Sequence, residues 1–511
     1  SVVLLCSGFA LYSFFRLSAA EGQKDFNLYE LVPSTTSAVF VTDDVLEFVA
    51  EVDELTCSKN QQYLYVSKLF SYLKQSLYAL SEDTPHGLSR QMNQMLISFH
   101  EPDNERNQVL YCRLGNGDKE LVNRFVRKYI SSLYPPKTFI YKGEEIIIYP
   151  MADGDFLACY LTSDFMALSF QKKLIENVID AYKSGKSLAD DSTFTGIRAP
   201  KKSAAAATIY TRMQGMMGWT EFDMKMKDDF IYFSGITHDA DTCFAFINQL
   251  RQQQSVKGFP GEVLPSTAFY FSRQGITDWV SLLSYGNAQG QSVPARTSEV
   301  QNRDKEFSRY LMENAGQDLV ACLFQREDTL QDAAAVLSLS VADVTEAERM
   351  LRALVNAAPA DEGRRNPRIT FCYTVNKAYP IYRLPQTTLF EQLTSFAEPT
   401  LDVYAAFYGG RLLLAPDADA LAHYIRQLDK GEVLNGAMVY QTGMDHLSDS
   451  YHFMLMADFD HIFQQSENHV RFVPDFFLRN ADFFRHFTLF VQFACADGVV
   501  YPNIVLKYKS E

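Results

Sequence analysis

Short apolar runs bounded by turn residues alternate with longer amphipathic stretches along the chain. Alternation of apolar and polar residues indicates a strand, whereas apolar residues recurring every three or four positions indicate a helix. Tyr65, Leu69, Leu73 and Leu77 have the helical spacing. The first half therefore predicts strands at 38–41, 95–99, 108–114, 138–141, 145–149, 156–161, 165–170, 204–211, 221–227 and 229–237, and helices at 43–54, 61–80, 118–133, 173–182 and 239–254.

The second half of the chain repeats this order. Residues 31–35 read LVPST and residues 263–267 read VLPST, and an apolar run follows each copy. A helical stretch ending at Gly185 has a counterpart ending at Gly431. Repeats of this kind indicate a duplicated structural unit. The second half predicts strands at 267–271, 320–324, 333–341, 369–373, 379–384 and 487–493, and a helix at 345–357.

These patterns predict an α+β fold of two tandem homologous modules, each an antiparallel-rich sheet with helices packed on it. Runs separated by tight turns pair as antiparallel hairpins, and helices inserted between groups of strands favour α+β over a doubly wound parallel sheet. Single cores stop growing near roughly 250–300 residues. We place an N-terminal transmembrane helix at 1–20, the first repeat with a linking helix at 21–255, and the second repeat at 256–511.

The N-terminal segment is uncharged and mainly apolar up to Arg16. Fifteen helical residues rise roughly 22 Å, against about 30 Å for the hydrocarbon core of a bilayer. We expect this segment to be the outer part of a single membrane anchor. The alternative is a secretory signal peptide cleaved near 18–20, and a lipoprotein signal is disfavoured because Leu5 precedes Cys6. Anchor and signal peptide both predict a periplasmic, extracytoplasmic chain.

The net charge of the chain excludes some partners, and its cysteines predict buried thiols. The net charge of −15 and a pI near 5.2 exclude nucleic acid as a partner, since phosphate binding needs clustered basic residues. Broad adhesion to anionic lipid headgroups is excluded for the same reason. A disulfide at Cys57 or Cys243 is left open. Five cysteines lie in strand-like runs and predict buried free thiols: Cys112, Cys159, Cys322, Cys372 and Cys495.

No catalytic motif occurs in the sequence. GxxxxGK[ST], GxGxxG, HExxH and GxSxG, which position phosphates, dinucleotides, zinc and a nucleophilic serine, are absent. Residues 115–118, Gly-Asn-Gly-Asp, open a predicted helix and resemble an anion site, but we interpret them as a turn with an N-cap. The sequence predicts a protein that is not an enzyme and that holds no cofactor and no metal.

Histidines are concentrated in one part of the chain, with six of the nine within 423–486. Asp458, Asp460 and His461 have the side-chain types of a metal site at short spacing. Strand alternation would place both carboxylates on one face and His461 on the other. We therefore expect solvated residues here. His452 or His461 acting as a general base would lack a nucleophile.

An aromatic insertion at 467–486 distinguishes the second half from the first. Aromatic and Arg residues are enriched at protein interfaces, so this insertion predicts a partner-binding surface. Its rings packing over an end of the sheet, or contacting lipid, are the alternatives. In the first half, Met213, Met216, Met217 and Trp219 are expected to fill the core instead. The candidate partner-binding residues are Phe472, Phe476, Phe477, Phe483, Phe484 and Arg479.

The Pro-Ser turn before the first strand, the two-fold repeat and the apolar N-terminus together resemble uncharacterised membrane-anchored bacterial envelope proteins, a domain-of-unknown-function family. The resemblance covers most of the chain and rests on pattern alone. It implies a membrane-tethered extracytoplasmic protein and transfers no functional residue.

The function predicted from the sequence is a non-enzymatic scaffold or interaction subunit of a cell-envelope complex, attached to the membrane by one helix. Its expected partners are the membrane, through that helix, and other envelope or membrane proteins. One alternative is an envelope ligand-binding module with its site between the two repeats. A metal-dependent hydrolase around Asp458, Asp460 and His461 is the other.

Overall fold

The computed structural model of the chain divides into two compact units. The first contains the described residues up to Glu51 and from Met92 to Thr211, and the second contains Val52–Asn60 and the described residues from Arg212 onward. The predicted anchor at 1–20 lies outside the described residues. These are 26–60, 92–100, 106–115, 118–126, 134–151, 154–197, 205–212, 218–237, 245–277, 279, 298–326, 333–357, 368–375, 377–385, 402–465, 473 and 475–509.

The first unit is built on antiparallel strands. They are β1 (Ala38–Thr42), β2 (Met95–Phe99), β3 (Gln108–Arg113), β4 (Lys137–Tyr141), β5 (Glu144–Pro150), β6 (Phe156–Leu161), β7 (Phe165–Ser169) and β8 (Ala207–Thr211). Their order is β8–β1–β2–β3–β7–β6–β5–β4. The helices α3 (Asp118–Phe125), α4 (Lys172–Ser184) and α5 (Ser192–Ile197) belong to this unit, and α1 (Val45–Glu54) crosses from the first unit into the second.

The second unit is also built on antiparallel strands. Its strands are β9 (Thr220–Lys227), β10 (Phe230–Thr237), β11 (Val256–Lys257), β12 (Ala268–Gly275), β13 (Ala315–Gln325), β14 (Ala333–Val341), β15 (Ile369–Tyr373), β16 (Ala378–Pro385), β17 (Asp402–Tyr408), β18 (Arg411–Ala415), β19 (Ser450–Tyr451), β20 (Phe453–Asp458), β21 (Phe487–Ala496) and β22 (Val499–Tyr508). The main order is β9–β10–β22–β21–β20–β12–β13–β14–β18–β17–β16–β15.

The helices of the second unit are short apart from three. They are α2 (Thr56–Lys59), α6 (Ala245–Gln252), α7 (Ser298–Asn314), α8 (Val344–Ala357), α9 (Ala418–Asp429), α10 (Met438–Met444), α11 (Phe459–Phe463), α12 (Asp475–Arg479) and α13 (Ala481–Phe484). Strands β11 and β19 pair with each other as a separate ribbon.

The remaining 20 strands all pair antiparallel in the two orders given above, and β9 and β10, which the sequence placed in the first repeat, belong to the second unit and reach β22. The predicted fold class, an α+β pair of modules with one sheet each behind an N-terminal transmembrane helix, was therefore wrong in its architecture. Hairpin patterns identify neighbours across a tight turn, but a pairing such as β10 with β22 joins segments far apart in sequence and leaves no local signal. No helix among the described residues is long and apolar enough to cross a membrane.

The repeated Pro-Ser segment makes equivalent contacts in each unit. Pro33 forms an isolated bridge with Ser187, and Pro265 forms one with Val433. In both places the paired segment follows a glycine in the left-handed region, Gly185 at φ 63° and Gly431 at φ 77°. Glycine adopts this conformation without the steric penalty of a Cβ and commonly ends helices. In each unit, the repeated segment that precedes the first strand is therefore paired with the residues that follow a helix.

The helix α9 illustrates how the sheet is covered. Asp417 precedes it, and the Asp417 carboxylate accepts a hydrogen bond from the Ala420 amide at 2.7 Å, as an N-cap does. Leu421 and Ile425, one turn apart, are fully buried. In the first unit α4 buries Ile175 and Ile179 with the same spacing. Apolar residues on one helix stripe therefore supply the core against the strands.

The cysteines agree with the expectation of buried thiols in most positions. Cys112, Cys159, Cys322 and Cys372 are buried and free. Burial raises the pKa of these thiols, to about 12 for Cys112 and Cys159. Cys495 is free and half-buried. Cys57 is also free, while Cys243 lies outside the described residues.

A charge cluster in the second unit spans the adjacent strands β12, β13, β14 and β18. Arg273 Nε lies 2.9 Å from one oxygen of Asp318, and Arg411 Nη1 lies 3.2 Å from the other. The Asp318 side chain is 10% exposed. Arg273 also donates to the carbonyl of Gly258 at 2.7 Å and to the Tyr451 hydroxyl at 3.1 Å. One carboxylate therefore compensates two largely buried cations.

We expect Asp318→Asn to lower the free energy of unfolding by about 3 kcal/mol, because it leaves two buried guanidinium groups without a counter-charge. Urea unfolding followed by circular dichroism measures this. Asp445→Asn, at an exposed position, makes the same charge change and should stay within about 0.5 kcal/mol of the wild type. Equal stabilities for the two variants would contradict a structural role for the cluster.

Candidate functional site

The aromatic insertion predicted to bind a partner packs partly against itself. Phe477 lies 4.9 Å from Phe459 and 4.8 Å from Phe484, measured between ring centroids. Phe483 lies 4.9 Å from Phe487, and Phe484 is only 7% exposed. These contacts favour the alternative in which the rings cover part of the sheet.

The other members of the predicted surface differ in what the structure shows. Arg479 is exposed at the end of α12. Phe472 and the side chain of Phe476 lie outside the described residues. Partner binding at this insertion stays a prediction. In the first half, Trp219 is buried as expected, and Met213, Met216 and Met217 lie outside the described residues.

Asp458 is the last residue of β20 and the N-cap of α11, so the strand does not continue through Asp460 and His461. Its carboxylate accepts from the amides of Asp460 at 3.1 Å and His461 at 3.5 Å, so strand alternation does not apply to these residues. Lys509 Nζ lies 2.7 Å from Asp458 Oδ1, and His461 Nδ1 lies 3.4 Å from Oδ2. A metal ion bound to Asp458 would lie next to its carboxylate, and the ammonium group of Lys509 occupies that position. No group of three potential ligands for a metal ion occurs in the part of the chain that the structure describes.

The electrostatics of this group follow from its burial. Burial alone would raise the pKa of Asp458, but the hydrogen bond from His461 and the charge of Lys509 outweigh it and hold that pKa below its usual range. The same hydrogen bond to Asp458 raises the pKa of His461 against the effect of burial. The arrangement is an N-cap neutralised by two basic side chains.

Two further sequence candidates have structural partners. The Nδ1 of His452 accepts from the Cys495 amide at 3.1 Å, and burial lowers the pKa of His452. At the start of α3, the Asp118 carboxylate accepts from the Gly115 amide at 2.6 Å. That carboxylate occupies the place where a bound anion would lie, which agrees with the interpretation as a turn and cap.

A buried serine–histidine pair was missed by the sequence analysis. Ser98 Oγ lies 2.9 Å from His100 Nε2 and 3.1 Å from the Tyr111 hydroxyl. The sequence could have indicated this pair, because Ser98 and His100 are two positions apart and alternation along a strand places such residues on one face. Ser98 and Tyr111 are fully buried, and burial lowers the pKa of His100 to about 4. A substrate carbonyl has no access to Ser98, so this is a neutral hydrogen-bonded core group.

Two strands expose large apolar side chains. In β4, Ile140 is 71% exposed; in β15, Tyr373 is 72% exposed. Aromatic and aliphatic side chains of this size are usually inside. Among the described strands, each is at one end of the order of its unit and pairs with one neighbour, β4 with β5 and β15 with β16. We call them the β4 edge (Lys137–Tyr141) and the β15 edge (Ile369–Tyr373). Both contain Thr-Phe-x-Tyr.

The β15 edge has backbone groups directed away from its neighbour. The Arg383 amide donates to the Arg368 carbonyl at 2.9 Å, and the Thr374 amide donates to the Lys377 carbonyl at 2.9 Å. Hydrogen-bonded and non-hydrogen-bonded pairs alternate along an antiparallel ladder. The N–H and C=O groups of Ile369, Phe371 and Tyr373 therefore point away from β16. Consistently, Pro380, which has no N–H, lies opposite Phe371.

The two faces of β15 have different environments. Cys372 is buried, with its sulfur 3.5 Å from the Ala422 carbonyl of α9. Side chains alternate along a strand, so Ile369, Phe371 and Tyr373 share the opposite face. Their exposed fractions are 37%, 53% and 72%. This face and the backbone groups that point away from β16 belong to the same three residues.

The β4 edge is more polar. Lys142 and Gly143, at φ 50° and 83°, form a two-residue turn of the kind that matches strand twist. Lys172 Nζ lies 5.1 Å from the centroid of the Phe139 ring. The Tyr141 hydroxyl donates to Asp180 at 3.1 Å. A lysine and a hydrogen bond therefore limit the apolar surface of this edge.

Comparison with protein-family models, with curated proteins and with solved structures found no match for this chain. The resemblance to membrane-anchored envelope proteins stays an expectation from the sequence.

His100 predicts a defined pH dependence. The unfolded chain binds a proton near the ordinary pKa of 6.5, whereas the folded protein binds it only near 4. The free energy of unfolding should therefore fall as pH drops through this window, by up to about 3 kcal/mol at 1.36 kcal/mol per pKa unit. Urea unfolding at intervals from pH 7 to pH 4 measures this, and His100→Gln should flatten the dependence. His423→Gln, at a partly exposed position on α9, is the control; equal pH slopes for wild type and His100→Gln would contradict the assignment.

Proposed function

We propose that the protein is a non-enzymatic scaffold or interaction subunit of a cell-envelope complex. The observation that carries the proposal is the pair of exposed apolar edges, the β4 edge and the β15 edge. An edge strand presents unpaired backbone groups, and natural proteins usually protect it with charge, a bulge or a covering element. An exposed apolar edge is favoured by selection when a partner covers it.

The chemistry of the described polar clusters supports interaction over catalysis. In the Ser98–His100 pair described above, the Ser98 side chain is fully buried. Asp458, the centre of the hydrolase alternative, is held by Lys509 and caps a helix. These groups have structural partners that account for their positions.

The proposed location is the extracytoplasmic side of a membrane, with the membrane and other envelope proteins as partners. Support comes from the uncharged segment at 1–15, which either an anchor or a secretory signal explains. The net charge of −15 would keep the free protein soluble despite its apolar edges.

Mild detergent extraction of native membranes followed by size analysis tests the scaffold role. We expect the protein to migrate in a complex that contains other envelope proteins and is larger than the single chain in the same detergent. The double variant Phe139→Lys, Phe371→Lys should release it, because a charged group at each edge would be buried without a counter-charge on binding. Tyr501→Lys changes an exposed aromatic on β22, which has neighbours on both sides, and should leave the complex intact. Migration of the wild-type protein as a single chain without other proteins would refute the proposal.

A further inference from the structure

We propose that Met438 is a site at which peroxide oxidants modify this protein, by converting its thioether to a sulfoxide at the surface of the second unit. Methionine oxidation of this kind is reversible, because methionine sulfoxide reductases restore the thioether. The modification is independent of the scaffold role, since it requires an accessible sulfur atom and no partner.

Met438 differs from the other methionines in its exposure to solvent. It is the first residue of α10 and is 76% exposed. Met444, the last residue of the same helix, is 5% exposed. The other methionines in the described ranges are buried or partly buried: Met92, Met95, Met151, Met166, Met224, Met226, Met312, Met350, Met454 and Met456. Among these side chains, a dissolved oxidant therefore has the best access to the sulfur of Met438.

The exposed neighbours of Met438 along the chain are polar or lack a side chain, namely Asn435, Gly436 and Gln441. Two side chains bond to the backbone here. The Gln441 amide donates to the Asn435 carbonyl at 2.8 Å, and the Thr442 hydroxyl donates to the Met438 carbonyl at 2.8 Å. These bonds hold the local backbone without using the thioether, so oxidation of the sulfur should leave them intact.

The cysteine thiols are protected from the same oxidants. Oxidation of cysteine follows its exposure and the fraction present as thiolate. Burial raises the pKa of the five buried thiols, which are Cys57, Cys112, Cys159, Cys322 and Cys372. Burial also raises the pKa of the half-buried Cys495, to about 11. Among the described sulfur atoms, that of Met438 is therefore the favoured target.

The reaction is a transfer of one oxygen atom. A lone pair of the Met438 sulfur attacks one oxygen of hydrogen peroxide, so that an S–O bond forms and the O–O bond breaks. The second oxygen takes up the proton of the transferred oxygen and leaves as water. The sulfur loses two electrons and the peroxide gains two, so no other reactant is needed. The sulfoxide is polar, and at this exposed position it stays in contact with water.

Peptide mass spectrometry of the full chain during treatment with hydrogen peroxide tests the proposal. We expect Met438 to gain one oxygen about tenfold faster than Met444, because susceptibility follows exposure and the two residues are 76% and 5% exposed. Met444 is the internal control, since it lies in the same helix and the same reaction mixture. In urea-unfolded protein the two rates should become equal. Equal rates in the folded protein, or a difference that persists in urea, would overturn the proposal.

A second measurement tests whether the modified side chain lies outside the core. After treatment that oxidises Met438 and leaves Met444 unmodified, the urea midpoint of unfolding should match that of untreated protein. Met438→Leu, which keeps an apolar side chain of similar size and removes the sulfur, is the matched control. A midpoint that falls in the wild type but not in Met438→Leu would show that the thioether packs within the fold, and would overturn the proposal.

Discussion

The backbone hydrogen-bond ladder of the antiparallel sheet is the constraint on which the rest of the structure depends. An interior strand such as β12 has its N–H and C=O groups satisfied by β13 on one side and β20 on the other. Strand β14 is buried at all but one position, because neighbours and covering elements enclose it. An open ladder must end somewhere, and unpaired donors and acceptors are left at its ends. In the described part of each unit, the order ends at β8 and β4 and at β9 and β15, and large apolar side chains reach the surface on β4 and β15.

Much of the local structure could be predicted from the sequence, since it depends on neighbouring residues. The strands Met95–Phe99, Phe156–Leu161, Ala333–Val341 and Ile369–Tyr373 have the predicted bounds. The strands expected at 138–141 and 145–149 pair as a hairpin around Lys142 and Gly143. The extent of the sheet could not be predicted, because β10 and β22 meet only through the fold. The end of β20 at Asp458 was also not predicted. The change from strand to helix there depends on the Asp458 carboxylate, which accepts hydrogen bonds from the amides of Asp460 and His461.

The candidate site was harder to predict because buried charge clusters and reactive sites use the same residue types. Asp458, Asp460 and His461 resemble metal ligands in sequence, but Lys509, which neutralises Asp458, is distant along the chain. Asp318 likewise lies between Arg273 and Arg411. The sequence alone does not distinguish a carboxylate that binds a ligand from one that forms a buried ion pair within the protein. The aromatic insertion shows the same ambiguity, since Phe residues that suit an interface also suit the interior, where Phe484 lies.

Net charge bears on what can cover the exposed edges. Two copies of a chain with charge −15 repel each other in solution, so joining copies edge to edge must overcome that repulsion in addition to the loss of rotational and translational freedom. A separate chain avoids this penalty if its binding segment alone contacts the edge.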